Sequence, residues 1–391
     1  MDGPAELFLV ANARMPSQRA QSLQVAQTSA AFARAGAAVT LLHARRTHTP
    51  ALPEGTDLWE YYDVGEGARP VVEAIPCLDW IDRVPRRMQY VPARLQELSF
   101  ARNAARRTGP GSLVLSRELE TAWLLTRRGR RGVFLELHRI PEGRLRTGLL
   151  RGALERVAGV IAISEGVAEG LQSMGVAADR ITVEHDGHAS GRFEELPDRA
   201  RAREQLGLDP ERPTVVYTGG LLEWKGVDLL VDAARELDPA TQVVIAGGME
   251  ADVERLRARA HGQDNVRVDG FQPPSRVPLY MAAGDVGVVP NRSRPAISAR
   301  YTSPLKVYES MAAGLPLVVS DLPSLRAILG EGEACFVQPD DASALAQGLR
   351  NLLEDGARRE ALGARLRSRA DEHTWDARAR RLLHWMGERA A

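Results

Sequence analysis

The amino-acid sequence predicts an α/β protein made of two Rossmann-like βα domains, each wound around a parallel sheet. Three observations carry this. Several short runs are apolar almost throughout, among them ELFLVAN (6–12), GVIAIS (159–164) and LPLVVSD (315–321). Such runs read as strands covered on both faces, as in parallel sheets. They alternate with longer amphipathic stretches of helical period, the pattern of βαβ units. The alternation pauses at a charged, proline-bearing stretch, 189–213, and then begins again.

ELFLVAN is the first strand, and the polar loop ARMPSQRAQS follows it. In LQVAQTSAAFARAG, Leu23, Ala26, Ala30 and Ala33 share one helical face and Gly36 is the stop signal. AAVTLLHAR closes the first strand–helix–strand unit. SLVLSR (112–117), GVFLELH (132–138), GVIAIS and ITVEHDG are further strands, separated by the helices ELETAWLLTRRG, LLRGALERVAG and EGVAEGLQSMG. The second half places strands at TVVYTGG, TQVVIAGG, VRVDGF, DVGVVPN, LPLVVSD and ACFVQPDD. Its helices are GVDLLVDAAREL, EADVERLRARAH, RVPLYMAAG, SPLKVYESMAAG, PSLRAILGEG and ASALAQGLRNLLED, and 357–391 reads as helical throughout. The expected organisation is a first domain over 1–188, a linker over 189–213 and a second domain over 214–370. A helix over 371–391 is expected to pack back on the first domain. Ligands of such sheets bind at the carboxyl ends of strands, so a cleft between the two domains is the expected site.

Bulk properties narrow the function. The chain has 391 residues, enough for two or three domains at roughly 100–200 residues each. Lys and Arg number 51 and so do Asp and Glu, which removes global charge as a reason to expect nucleic-acid binding. The two cysteines, Cys77 and Cys335, make neither a metal cluster nor a disulfide framework and fit a reducing compartment. No signal peptide and no run of about 20 apolar residues is present, so a cytoplasmic protein, at most peripheral to the inner face of the membrane, is expected.

Two segments carry chemistry. In YTGGLLEWKG (217–226), Gly219 and Gly220 let a phosphate approach the backbone with no Cβ in the way, and Lys225 is a compact cation suited to a diphosphate. Walker-loop spacing is absent, and read alone the segment is equally a strand-to-helix turn with a surface lysine. In YTSPLKVYESMAAGLPLVVSD (301–321), Ser303 and Pro304 read as N-cap and first helical residue. A helix start offers free N–H groups and partial positive charge to a phosphate. Lys306 and Glu309, three apart, share one face, either as a phosphate and ribose pair or as a solvated salt bridge.

The order of YTGGLLEWKGVDLLVDAA, VVIAGG, NVRVDGFQPPSRVPLYMAAGDVGVVPN and SPLKVYESMAAGLPLVVSDLPSLR resembles the large group 1, or family 4, of retaining GT-B glycosyltransferases. That family includes bacterial sucrose, mannosyl and polysaccharide transferases. The likeness covers the second half and extends more thinly to FARAGAAVTLL, FLELHRIP, GVIAISEGVAEGL and VEHDGH. It implies a nucleotide-sugar donor, a hydroxyl acceptor and no cofactor. Lys225 would contact the donor diphosphate. Glu309 would bind the ribose, with Ser303, Pro304, Leu305 and Lys306 holding phosphate or sugar hydroxyls. His138 would reach the transferring sugar or leaving group, and Ser164 and Glu165 would line the site. Many members have Arg where Gly220 stands and Glu where Tyr301 stands, the latter replacement marking a subset with SPLK before the helix. A second cation is then needed, and Arg300, followed by Arg139, is the candidate.

The chemistry is compatible with these residues. A nucleoside diphosphate is a good leaving group, so what must be supplied is stabilisation of charge growing on the β-phosphate. Metal-dependent transferases commonly use Asp-x-Asp, and the sequence has none, so no metal requirement is expected. Arg14, Ser17 and Gln18, in the loop 13–22, are acceptor candidates. The segment Asp79–Leu98 interleaves Arg83, Arg86, Arg87 and Arg94 with Val84, Met88, Tyr90, Val91 and Leu95. It reads either as a peripheral membrane contact through Arg83–Leu95 or as a solvated, Arg-rich loop and helix. Rival functions are a non-catalytic nucleotide-sugar-binding protein, a GT-B sugar-nucleotide epimerase and a phosphorylase. A dinucleotide dehydrogenase is disfavoured because AGGMEA is not G-x-G-x-x-G.

Overall fold

The computed structural model describes residues 5–390. Residues 1–4 and 391, the extremities of the expected first domain and last helix, lie outside that range. The chain divides into two compact units, Met1–His185 with Trp375–Ala391, and Asp186–Thr374.

Unit 1 holds seven strands: β1 (Glu6–Ala11), β2 (Ala38–Arg45), β3 (Val71–Pro76), β4 (Leu113–Ser116), β5 (Val133–Leu137), β6 (Gly159–Ala162) and β7 (Ile181–Val183). All pair in parallel, in the order β3-β2-β1-β4-β5-β6-β7. Leu7, Leu9, Leu41, Leu115, Phe134 and Ile161 are fully buried, as strands covered on both faces require. The helix Ala20–Arg34 ends as the sequence indicates. Gly36 takes φ +97°, Gly36 N–H donates to Ala33 O and Ala37 N–H to Phe32 O, a left-handed stop that favours glycine. The sequence reading missed β3, because VVEAIP is a short edge strand that ends in proline.

Unit 2 repeats the plan with β8 (Thr214–Thr218), β9 (Gln242–Ala246), β10 (Val266–Gly270), β11 (Val286–Val289), β12 (Leu317–Ser320) and β13 (Cys335–Val337). The order is β10-β9-β8-β11-β12-β13, again all parallel. Each sheet reverses direction of winding beside its first strand, between β1 and β4 and between β8 and β11. A crevice opens at such a switch point, beyond the carboxyl ends of the strands.

Three expectations need correction. The stretch 189–213 does not behave as a linker. It carries the helix Arg199–Leu206, which packs into unit 2 through Ala202 and Leu206. There Arg203 is buried, with Nη2 2.5 Å from Asp285 Oδ2 and Nε donating to Ala283 O, while Asp285 Oδ2 also accepts from Thr214 N–H. Nor is the C-terminal stretch one helix. It breaks between Gly356–Ser368 and Trp375–Ala390, where Thr374 is extended and His188 N–H donates to His373 O. Finally, Pro304 rather than Ser303 is the N-cap of the helix Leu305–Ala313. Ser303 Oγ turns inward, accepting from Asp186 N–H at 3.0 Å and meeting the Tyr308 hydroxyl at 2.9 Å, which removes it from the capping position.

Arg203→Ala leaves the buried Asp285 carboxylate with the half-exposed Arg199, 2.9 Å from Oδ1, as its remaining cation. It should cost about 1.5–3 kcal/mol of unfolding free energy, read as a lower denaturation midpoint by circular dichroism. A loss below ~1 kcal/mol would mean the helix Arg199–Leu206 is not integral to unit 2.

Candidate active site

In unit 2 the sequence-predicted residues meet at the switch point. Strand β8 ends in Thr218, and Gly219 and Gly220 carry the chain away from it. Gly219 has φ +123°. Neighbouring Gly247 has φ +122°, and a Cβ on it would stand 2.2 Å from Gly219 O, so no other residue fits there. The turn is pinned by Tyr217, whose hydroxyl donates to Gly220 O at 2.7 Å.

Two lysines converge on this bare backbone. A Cβ on Gly219 would sit 3.6 Å from Lys306 Nζ, and one on Gly220 would sit 3.6 Å from Lys225 Nζ. Lys306 lies at the start of the helix Leu305–Ala313 and is buried, with Nζ 3.3 Å from the centre of the Tyr217 ring. That ring face attracts a cation. Lys306 Nζ nevertheless has no hydrogen-bond partner among the described residues. Burial, and then the charge of Lys225, push the Lys306 ammonium well below the ordinary lysine range. Burial also lowers Lys225, to about 8, against the pull of Glu309. Glu309, one turn into the same helix, is buried too. Burial raises its carboxyl, and the charges of Arg192, Lys306 and Lys225 oppose that rise. No salt bridge closes between Lys306 and Glu309, so the solvated-pair reading of the SPLK segment does not hold. Arg300, the expected second cation, is exposed on the turn Ile297–Tyr301; it is Lys306 whose ammonium lies against Gly219. Pro304 and Leu305 form the helix start, and Ser303 faces inward as described above.

Unit 1 gathers a different group, also at carboxyl ends of strands. His138 follows β5, with Nε2 2.8 Å from Glu136 Oε1 and 2.6 Å from Arg117 Nη2. Glu136 is buried inside β5, where Arg378 of the C-terminal helix donates to Oε2 at 2.8 Å and Arg117 Nε lies 3.3 Å from Oε1. Although burial pushes the Glu136 carboxyl up, Arg378 and Arg117 hold it well below its usual range. Burial and Arg117 together lower His138 to about 4, so its imidazole is neutral at neutral pH. Such a ring offers one donor and one acceptor and carries no charge. Glu118, after β4, accepts from Asn12 N–H at 2.8 Å, and burial raises its carboxyl to about 7.

The remaining predicted residues are dispersed. Arg14 pairs with Asp82 at 3.3 Å. Ser17 is buried, its N–H donating to the Tyr62 hydroxyl, whereas Gln18 and Arg139 are exposed. Ser164 is buried at the entry to the helix Glu165–Ser173, and Glu165 Oε1 lies 3.2 Å from His185 Nε2. The sequence reading missed Tyr217, Arg117, Glu136, Glu118 and Arg378. A signal existed for Glu136: a carboxylate amid the apolar run VFLEL must find cations. None existed for Arg378, which is 242 residues away.

Comparison with known proteins places this geometry. Residues 198–369 match the family described as Glycosyl transferases group 1. That match lies within unit 2 and covers less than half of the chain. Along 168 residues it is 31% identical to an alpha-D-kanosaminyltransferase of Streptomyces kanamyceticus, covering 41% of this chain and 42% of the relative. Along 301 residues it is 27% identical to a GDP-mannose-dependent alpha-(1-6)-phosphatidylinositol monomannoside mannosyltransferase of Mycolicibacterium smegmatis, covering 71% and 78%. The chain spans about half the length of several curated relatives it matches. The crystal structure of Anabaena HepE in complex with UDP-glucose superposes with a TM-score of 0.75 over 98% of this chain and 99% of that one, at 16% identity. Both units have the Rossmann-like topology of the GT-B fold.

Two outcomes follow from the lysine pair. Lys306→Met removes a buried, unpaired amine at nearly constant volume. It should raise the apo melting temperature while weakening nucleoside diphosphate binding at least tenfold by calorimetry. A bound diphosphate restores the proton that burial disfavours, so binding takes up protons. Affinity should therefore fall as pH rises past about 8, by at most about tenfold per pH unit for each lysine. A pH-independent affinity from pH 7 to 10 would remove the lysines from the site.

Proposed function

We propose that the protein is a retaining, metal-independent glycosyltransferase. It moves a hexosyl or N-acetylhexosaminyl group from a nucleoside diphosphate sugar to a hydroxyl acceptor. The observation that supports this most is the pair Lys225 and Lys306, aimed at the Gly219–Gly220 backbone with one ammonium lacking an acceptor among the described residues. A diphosphate placed there gains two cations and the free N–H groups of the Leu305–Ala313 helix start. Glu309, one turn on, is placed to accept from the ribose hydroxyls. As the bond from the sugar's anomeric carbon to the β-phosphate oxygen breaks, negative charge grows on that oxygen. Fixed cations in a partly dry site stabilise it without reorganising. The acceptor oxygen forms its bond on the face the diphosphate leaves, and its proton passes to the departing β-phosphate oxygen. Neutral His138 would hydrogen-bond the sugar without competing for the phosphate.

Relatives suggest the donor. HepE was crystallised with UDP-glucose, and the M. smegmatis relative is named for GDP-mannose and a phosphatidylinositol mannoside. A uridine or guanosine diphosphate hexose and a cytoplasmic or membrane-surface acceptor fit this reading. Gly220 and Tyr301, where many members have Arg and Glu, favour a second reading, a nucleotide-sugar-binding protein without turnover.

The test is incubation with labelled UDP- and GDP-hexoses and a panel of cyclitol and glycolipid acceptors, with and without EDTA, reading the product anomer by proton NMR. Product with the donor's configuration, unchanged by EDTA, is expected. Inverted product ends the retaining assignment, loss of product on chelation ends metal independence, and nucleotide binding with no product favours the second reading.

A further inference from the structure

Exposed large apolar side chains are concentrated in one part of unit 1. Of the 11 found among the described residues, seven fall between Leu78 and Leu98, including Trp80, Met88 and Tyr90. Val91, Leu95 and Leu98 follow at i, i+4 and i+7 on the helix Tyr90–Arg107, so they form one ridge, and all three are exposed. The opposite face of that helix, Phe100, Ala101, Ala104 and Ala105, is buried, so the ridge is not a misfolded core face. The surface is continuous. Leu78 N–H is held by Ser99 Oγ on this helix, and Arg146 binds Glu97, which brings Leu145, 85% exposed, beside the ridge.

Charge around the ridge is one-sided. Asp82 is taken by Arg14, and Glu97 by Arg94 and Arg146. Arg83, Arg87 and Arg102 are exposed and form no ion pair among the described residues. One acid, Glu142, stands exposed at the margin near Leu145. Trp and Tyr with aliphatic neighbours and unpaired guanidinium groups match the boundary between lipid headgroups and acyl chains. The position also suits that role. The segment leaves the carboxyl end of β3, and Gln96 exchanges hydrogen bonds with Asn12 at the carboxyl end of β1. The surface therefore borders the Glu118 and His138 group.

We propose that this face, the loop after β3 with the exposed ridge of the helix Tyr90–Arg107, docks on an anionic lipid bilayer. The aromatic and aliphatic side chains enter the headgroup layer, and Arg83, Arg87 and Arg102 meet lipid phosphates. The helix lies along the surface, and no helix among the described residues is long and apolar enough to cross a membrane. Docking would bring a lipid-borne hydroxyl acceptor to the rim of unit 1. The attachment stands independently of the transfer reaction, because its test reads binding and not turnover.

The test is co-sedimentation of the full chain with phosphatidylcholine vesicles, with or without phosphatidylglycerol, at low and high salt, alongside light scattering without lipid. The wild-type chain should pellet with the anionic vesicles and far less with the neutral ones, and high salt should weaken its binding. Val91→Glu/Leu95→Glu should abolish pelleting. Arg83→Gln/Arg87→Gln should weaken anionic binding roughly twenty-five-fold, about fivefold for each arginine removed. Both variants should keep the wild-type melting temperature and nucleotide affinity, because every altered side chain is exposed and lies in unit 1. A wild-type chain that stays in solution overturns the proposal, as does a Val91→Glu/Leu95→Glu variant that still pellets. A dimer of the wild-type chain that this variant dissolves would instead make the ridge an interface between copies.

Discussion

A lysine ammonium kept from water with no acceptor is costly, and folded chains rarely tolerate one. Lys306 is held that way by the burial of its helix, with only the face of Tyr217 beneath it. The surroundings are arranged around the same spot. Tyr217 also fixes the glycine turn, Gly247 lets a second strand end crowd against it, and Lys225 and Glu309 are held partly dry nearby. Local stability has been given up where an anionic ligand would restore it. This is the usual relation between a preorganised site and the fold that carries it.

Unit 1 handles its buried charge differently. Glu136 is surrounded by Arg378, Arg117 and His138, so nothing there waits for a ligand's charge. The group positions a neutral imidazole at a strand end, and it does so with a side chain from the last helix of the chain. The final helix is thereby structural to the unit that begins the sequence. Arg381 on Glu184 and Arg34 on Asp376 add to the same attachment. On the proposed reading the two groups take two tasks, anion stabilisation in unit 2 and contact with uncharged hydroxyls in unit 1.

Much of this was legible in the residues. Parallel sheets bury strands on both faces, so the apolar runs and their alternation with helices were enough for fold class and the location of the glycine turn. VVEAIP escaped because an edge strand need not be continuously apolar, and 189–213 looked like a linker because its polar composition hides Arg203, a charge that is paired indoors. Composition reports how many charges a segment has, not whether they are satisfied.

The sequence by itself determined the two βα units, the glycine turn before Lys225 and the helix that carries Lys306 and Glu309, because each depends on neighbours within a few residues. Only the tertiary structure decided that Lys306, not Arg300, lies against Gly219, that Tyr217 supports it, and that Arg378 holds Glu136 beside His138. Those facts depend on which strand ends become neighbours in a sheet and on where the last helix docks. They join residues up to 242 positions apart, a distance over which local propensity and spacing carry no information.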